Sequence, residues 1–423
     1  MWEKFTQIWK LKDLRNKILF IIGMLVVFRI AAHVPIPGIN AENLKEFFNS
    51  NQVLGLLNVF SGGGMENFSI VMMGVAPYIT SSIIFQLLGM IIPKLEDMMK
   101  EESGRQKINM YTRIMTVPLS FLQAYGMIIL LKQSSATIIQ NADFFNLAAM
   151  LITITAGTML LMWIGELITE KKIGNGISLI IFAGIVARIP SALKEAAVNF
   201  SAQEAMNIIA FSAIALITIV GVVIITEAQR NIPVSYAKRV RGMRMYGGMD
   251  THLPIRINQA GVIPIIFAIS IILFPSMVAQ FMMRSSNAFI GHAGQAIIGL
   301  FQNQLFYGIL YFLLVFGFTY FYTAVIFHPY QIAENLQKNG AFVPGIRPGQ
   351  YTAEYLQRSI SRITLVGALF LGIIAVLPLM LHSFIGLQSL VIGGTSILIV
   401  VSVVIEMRKQ IEAQMTMREY EGF

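Results

Sequence analysis

Cysteine is absent from this 423-residue chain, and charged residues make up only 13% of it. The lack of cysteine excludes disulfides, thiolate nucleophiles and cysteine-ligated metal sites. The scarcity of charge excludes an ordinary soluble domain, in which about a quarter of the residues are charged. Hydrophobic residues account for 56% of the chain, and the mean hydropathy is +0.68. Long apolar stretches predict a polytopic helical membrane protein, whereas a transmembrane barrel would show short alternating segments.

Motifs for nucleotide and metal chemistry are also missing from the sequence. No Gly-x-x-x-x-Gly-Lys-Ser/Thr loop and no His-Glu-x-x-His pair occurs among the 423 residues. Ser178 and Ser396 have no base near them in the sequence, so helix packing is favoured over a role as protease nucleophile. The sequence therefore predicts a protein that is not an enzyme and that needs no cofactor or metal.

Ten apolar spans are predicted, and the charges that flank them predict their orientation. The spans cover about residues 18–35, 74–92, 113–131, 147–168, 177–190, 206–227, 258–280, 305–327, 360–380 and 387–405. Of the 31 Lys and Arg residues, 25 lie in the N-terminus, in every second loop and in the C-terminal tail. Because basic residues accumulate on the cytoplasmic side, both termini are predicted to be cytoplasmic.

Two motifs occur once in each half of the chain, in the same order. GVAPYI at residues 74–79 returns as GVIPII at 261–266, and GISLII at 176–181 returns as GTSILI at 394–399. Corresponding interruptions by Gly and Pro in two halves indicate internal repeats and point to the working centre of a membrane protein.

The repeats divide the chain into two halves of five spans each, residues 18–200 and 201–405. Residues 1–17 precede them, and a tail at 406–423 follows. An odd number of spans per half reverses the second half, so the halves are predicted to be related by a two-fold axis in the membrane plane. The second half also carries two large basic loops, at about 228–257 and 328–359. These loops are either solvated determinants of topology or docking surfaces for a large partner.

The repeated motifs supply apolar side chains that could form a ring. Val75 and Ile79 are four residues apart and share a helix face, as do Ile177 and Ile181. The two-fold relation adds Ile266 and Ile399. Six such side chains at mid-membrane depth would make a hydrophobic constriction, which excludes water and ions by dewetting. The alternative for any single one of them is an ordinary core or lipid-facing isoleucine.

A glycine-rich loop at residues 58–69 leads directly into the second span. Gly62, Gly63 and Gly64 provide a hinge, and the flanking apolar residues suit a short amphipathic helix folded back into a cavity. An ordinary flexible loop is the other interpretation of this segment.

Three segments carry a close resemblance to a known family. Residues 69–86 (SIVMMGVAPYITSSIIFQ), 172–178 (KIGNGIS) and 339–349 (NGAFVPGIRPG) are similar to signature segments of the SecY family of bacterial protein-conducting channels. The resemblance covers essentially the whole chain. The sequence departs from the family at Lys172, where the family commonly has Gly.

The resemblance implies an all-α polytopic membrane protein, with ten helices in two inverted five-helix halves around a central hourglass pore. Unfolded secretory chains would pass through this pore, and hydrophobic segments would leave it sideways into the membrane lipid. The six residues of the ring would close the pore, together with a plug at about residues 60–70. The plug residues are Phe60, Gly62, Gly63, Gly64, Met65 and Phe68.

The resemblance also implies a lateral gate and several partners. The gate would separate spans 2 and 3 from spans 7 and 8, with Thr80, Gln86, Gln123 and Phe274 along it. Arg241, Arg244 and Arg347 would dock partners in the large basic loops. The implied partners are SecE, SecG, the motor ATPase SecA, the ribosome, signal peptides and nascent secretory chains.

An ion-coupled secondary transporter with inverted repeats is the alternative function. It requires a charged site for a coupling ion within the membrane. Arg29, Glu166, Arg188 and Glu227 lie near the estimated ends of their spans. Snorkelling of these side chains toward the membrane interface explains them more simply than ion coupling.

Overall fold

A computed structural model describes residues 9, 11–40, 43–44, 61–133, 138–139, 143–198, 202–236, 239–241, 244–246, 250–283, 287–385 and 394–421. Within these ranges the chain is mainly helical. The helices are α1 (Lys12–Ala31), α2 (Ala76–Ile91), α3 (Pro93–Lys100), α4 (Glu102–Gln133), α5 (Phe144–Glu170), α6 (Gly176–Val198), α7 (Ala202–Glu227), α8 (Ile263–Met282), α9 (Ala288–Gln302), α10 (Gln304–Ile326), α11 (Pro329–Lys338), α12 (Gln350–Ile385) and α13 (Gly394–Glu421).

Each of the ten predicted spans overlaps a helix, namely α1, α2, α4, α5, α6, α7, α8, α10, α12 and α13. Among the described residues, four stretches are by themselves long and apolar enough to cross a membrane: Glu102–Lys132, Phe144–Glu170, Gln304–Lys338 and Gln350–Met380. The pair α2 and α3, bent by 114° at Ile92, meets the same criterion as one unit. The helical membrane architecture is thus confirmed, while the count of ten crossings stays a prediction.

Strands form in the two large basic loops, where the sequence analysis predicted none. They are β1 (Gln229–Tyr236), β2 (Arg239–Arg241), β3 (Arg244–Tyr246), β4 (Asp250–Arg256) and β5 (Ala341–Phe342). β1 pairs antiparallel with β4 on one side and with β5 on the other, and β2 pairs with β3 as a separate ladder. Because β1 and β5 belong to different loops, their pairing places both loops on the same face of the molecule.

A small core of its own supports this sheet. Ile232 and Val234 alternate with exposed residues along β1, as expected for a strand with one buried face. They form a cluster with Leu356 and Ile360 at the start of α12 and with Val343 after β5. We call β1, β4, β5, α11 and the first turns of α12 the loop platform. The two basic loops are therefore one folded unit attached to the helices.

Segments from both ends of the chain meet on one face. The Lys17 ammonium near the start of α1 donates to Gln414 Oε1 at 3.3 Å, and Gln414 Nε2 donates to the carbonyl of Lys172 at 2.6 Å. Lys409 on α13 pairs with Glu227 at the end of α7 at 3.2 Å. Much of the predicted tail at 406–423 is helical, because α13 continues to Glu421.

Lys172 adopts a left-handed backbone conformation, with φ of +58°. A side chain costs about 1–2 kcal/mol in this region, whereas glycine enters it freely. We expect Lys172→Gly to raise the free energy of unfolding by about 0.5–1 kcal/mol, after the added freedom of the unfolded chain is subtracted. Thermal unfolding in detergent measures this. The control is Lys171→Gly at φ −75°, which we expect to destabilise the protein. A Lys172→Gly protein less stable than wild type would contradict the prediction.

Candidate functional site

The six residues of the predicted ring belong to a single apolar cluster. Val75, Ile181, Ile266 and Ile399 are buried in it, and the partly buried Ile79 and Ile177 pack against it. Ile399 and Ile181 are the most enclosed, with exposed fractions of 0% and 1%. The cluster also contains core residues from several other helices, so burial alone does not distinguish a ring from a packed core.

The first repeated motif builds the same local structure in both halves. Gly74 and Gly261 have φ of +57° and +62°, a conformation that glycine adopts without steric cost. A valine follows each glycine, and a helix then begins with proline at its second residue, Pro77 in α2 and Pro264 in α8. Proline is tolerated there because the first turn of a helix does not use that N–H group. The repeat noted in the sequence is therefore also a repeat of backbone geometry.

Each motif-bearing helix packs against its own copy. α2 contacts α8, and α6 contacts α13. Helices α6 and α13 each begin at the glycine of the second motif, Gly176 and Gly394. Contact between an element and its own repeat is the pattern that a two-fold axis produces where it passes through an interface. The ring residues thus lie in, or directly before, four helices that contact one another across the two halves.

The predicted plug is described from Ser61 onward, and Phe60 lies outside the described residues. Residues 61–70, which we call the plug segment, form consecutive turns instead of the amphipathic helix that the sequence suggested. Met65 and Phe68 are buried at 2% and 1% exposure, in a second apolar cluster that is separate from the cluster of the ring. Ile70 packs against both clusters and links them.

The plug segment is attached to the chain that follows α1. The Ile36 amide donates to the carbonyl of Phe68 at 2.9 Å, and the Ile70 amide donates to the carbonyl of Val34 at 3.1 Å. Inside the segment, the amide and the hydroxyl of Ser69 both donate to the carbonyl of Gly64. The end of the segment near α2 is therefore anchored by backbone hydrogen bonds.

The predicted gate residues lie on three helices, α2, α4 and α8. Gln123 Nε2 on α4 donates to Thr80 Oγ1 on α2 at 3.4 Å, so these two residues join spans 2 and 3 on one side of the predicted gate. Gln86 Nε2 donates to Ser82, while its buried carbonyl oxygen has no hydrogen-bond partner among the described residues. Phe274 lies in α8, and its side chain is outside the described part. Across the seam, α8 contacts both α2 and α4.

The charges near the ends of the predicted spans are paired within the protein, which the snorkelling interpretation did not predict. Glu166 on α5 pairs with Arg113 on α4. Arg188 Nη2 on α6 lies 3.2 Å from Glu66 Oε2, and Arg29 Nη1 on α1 donates to the carbonyl of Gly62 at 2.8 Å. Pairing of charges with one another and with carbonyls is the usual solution for charges at membrane depth. Among the described residues, no group of three or more His, Asp or Glu side chains could hold a metal ion.

The predicted docking arginines lie in the loops, in two different settings. Arg241 and Arg244 belong to the paired strands β2 and β3, and their side chains are outside the described part. Arg347 is exposed between β5 and α12. Thr352 Oγ1 donates to the Arg347 carbonyl at 2.9 Å, which fixes the backbone but leaves the guanidinium outward.

Residues 69–408 match the SecY family profile. The Protein translocase subunit SecY of Mycobacterium tuberculosis is 43% identical over 447 residues, with 100% of both chains covered. Two solved channels share the fold with a TM-score of 0.62 each, covering 94% of this chain and 91% of theirs. One, 18% identical, is a SecY channel described by its plug domain. The other, 17% identical, is Sec61 in a canine ribosome–channel complex.

Proposed function

This chain belongs to the SecY family, and from that premise we propose that it is a protein-conducting channel of the bacterial cytoplasmic membrane. Unfolded secretory chains cross the membrane through it, and hydrophobic segments leave it into the lipid. The observation that carries the proposal is the ring, whose residues come from both repeats and lie in one cluster where the halves meet. An apolar constriction excludes ions and makes few hydrogen bonds with a passing chain, so it accepts many sequences.

The driving force comes from partners, and the loop platform is their docking surface. One solved relative stands in a complex with a ribosome. The platform here is a folded surface built from both large loops, and the same loops carry Arg239, Arg241, Arg244 and Arg347, which suits binding to a large acidic or nucleic acid-containing partner. We assign the ribosome and the motor ATPase SecA to this face. SecE and SecG are assigned to the membrane-exposed helices as further subunits of the channel.

Transport into vesicles tests the proposed function. Purified protein is reconstituted with SecE, and a secretory chain with an intact signal sequence is presented outside. We expect the chain to become protected from protease only when SecA and ATP are added. Protection without SecA and ATP, or its absence when every component is present, would contradict the proposal. A coupled uptake of small solutes in the same vesicles would favour the transporter alternative.

The plug segment and the lateral gate complete the proposed mechanism. In the closed state the plug segment fills the space next to the ring, and the seam between α2 and α4 on one side and α8 and α10 on the other is shut. A signal peptide opens the seam and displaces the plug segment. The backbone hydrogen bonds that join residues 34–36 to residues 68–70 then act as the anchor about which the segment moves.

Labelling from one side of the membrane tests the orientation. Gln295 on α9 and Gln331 on α11 are exposed and lie on opposite sides of one predicted span. The chain has no cysteine, so Gln295→Cys and Gln331→Cys each create one reactive site. We expect a membrane-impermeant thiol reagent to label Gln295→Cys from the outside of intact cells and Gln331→Cys only after the membrane is opened. Equal labelling of both variants in intact cells would contradict the inverted repeats.

A further inference from the structure

Two arginines from different helices reach the plug segment. Arg29 on α1 donates from Nη1 to the carbonyl oxygen of Gly62 at 2.8 Å. Arg188 on α6 places Nη2 at 3.2 Å from Glu66 Oε2. Sequence separations of 33 and 122 residues make these contacts tertiary ones. The plug segment is thus held by charge as well as by apolar packing.

Close backbone packing fixes the geometry of these contacts. A Cβ atom on Gly62 would lie 2.6 Å from the ring of Phe28 on α1 and 3.1 Å from the Cα atom of Gly184 on α6. Only a glycine with its φ of +69° fits at this point. The plug segment therefore packs closely between α1 and α6, the two helices that carry the arginines. This packing fixes the position of the plug segment relative to the two guanidinium groups.

Displacement of the plug segment separates these charges from their partners. The side chains of Arg188 and Glu66 are 34% and 26% exposed, so water screens them only in part. Arg29 and Arg188 are also close enough to repel each other. Loss of its partner leaves a partly buried guanidinium uncompensated, and repulsion between two such neighbouring groups adds to the cost. The contacts thus favour the closed arrangement by an amount that does not depend on the sequence of the transported chain.

We propose that Arg29, Arg188 and Glu66 form a latch that determines which signal sequences open the channel. The inference rests on the proposed function. A signal sequence can shift the equilibrium toward the open channel only by the difference between its binding free energies to the open and closed states. It therefore opens the channel only if this difference exceeds the free energy by which the latch favours the closed state. A weaker latch then admits signal sequences with shorter hydrophobic cores, while a strong signal sequence exceeds the threshold in either case. Arg188 and Glu66 are specificity-determining residues, and they act before the chain enters the pore.

Transport of two substrates that differ only in the signal tests the latch. The vesicles contain SecE and receive SecA, ATP and one secretory protein, with either an intact or a shortened hydrophobic core. We expect Glu66→Gln and Arg188→Gln each to raise transport of the shortened-signal substrate about fivefold, the effect of losing a partly exposed ion pair. Transport of the intact substrate changes less than twofold. The double variant exceeds neither single variant, because each single change already breaks the pair.

Two further variants separate the latch from a general loosening of the plug segment. Asn67→Ala alters the neighbouring residue and leaves the pair intact, so we expect wild-type selectivity. Arg188→Lys keeps the charge, and we expect it to restore most of the selectivity lost in Arg188→Gln. Equal gains for Asn67→Ala and Glu66→Gln, or additive gains in the double variant, would overturn the latch. Wild-type selectivity of both single variants would also overturn the latch, but it would leave the proposed channel function intact. That function would be refuted if neither wild type nor any variant transported the intact substrate.

Discussion

Replacing Ile181 or Ile399 with asparagine is expected to make the closed channel leak ions at least about tenfold faster. Both side chains are essentially fully buried in the cluster where the halves meet. Loss of a buried isoleucine removes about 1.5–3 kcal/mol of apolar stabilisation, and the amide offers hydrogen bonds to water at the constriction. Lowering a barrier by about 1.4 kcal/mol speeds passage tenfold. Ion conductance of the reconstituted variants in planar bilayers measures the effect.

The chain provides matched controls one residue away from each ring position. Ile180 and Leu398 are buried at 2% and 1% exposure, so an asparagine there incurs a similar desolvation cost. Adjacent residues are turned by about 100° around a helix, so Ile180 and Leu398 point about 100° away from Ile181 and Ile399. We expect Ile180→Asn and Leu398→Asn to lower stability without raising conductance. Equal leakage from ring and control variants would show that a loosened core, and not a wetted ring, lets the ions through.

The sequence was sufficient to predict the helical architecture and to select six residues that lie in or against one apolar cluster, while their arrangement as a ring stays a prediction. Apolar spans and Gly/Pro punctuation are local signals, and each predicted span overlaps a helix. The repeats carry symmetry, and this made it possible to select the residues from sequence. Once Ile79 and Ile181 were paired with Ile266 and Ile399, the two-fold relation implied that they lie together. The contacts of α2 with α8 and of α6 with α13 follow the same relation.

Long-range polar contacts could not be predicted in this way. Glu66 and Arg188 are 122 residues apart, and nothing in either local sequence indicates the pairing. Arg188 near the end of a span has the same local pattern whether it snorkels to water or meets a carboxylate inside the protein. The strands of the loop platform were missed for a related reason. β1 and its neighbour β4 each contain a proline, which is unfavourable within a strand, and β5 has only two residues and pairs with β1 from more than 100 residues further along the chain.

The backbone of Arg347 contributes to the local fold, whereas its side chain is exposed and available to a partner. Two hydrogen bonds and a turn fix the backbone around it. The carbonyl of Arg347 accepts from the Thr352 hydroxyl, and the amide of the preceding Ile346 donates to the carbonyl of Val343 at 3.0 Å. Gly349, two residues further along, turns the chain with φ of +92°. The side chain itself is exposed and makes no hydrogen bond or ion pair among the described residues. The planar guanidinium of Arg347 can therefore bind a carboxylate or phosphate group of a partner through two parallel hydrogen bonds.

Arg347→Glu is therefore expected to reduce SecA-driven transport at least about tenfold, while the midpoint of thermal unfolding and the assembly with SecE remain as in wild type. Reversing a charge that meets a partner replaces attraction by repulsion, and like-charge contacts at an interface cost several kcal/mol. Lys338→Glu reverses another exposed charge on the loop platform, but Lys338 already pairs with Glu334 at 2.7 Å. We expect that control to affect transport less than twofold. Normal transport by Arg347→Glu would show that Arg347 is merely solvated. A large loss of transport in both variants would mean that the net charge of this face, and not one arginine, attracts SecA.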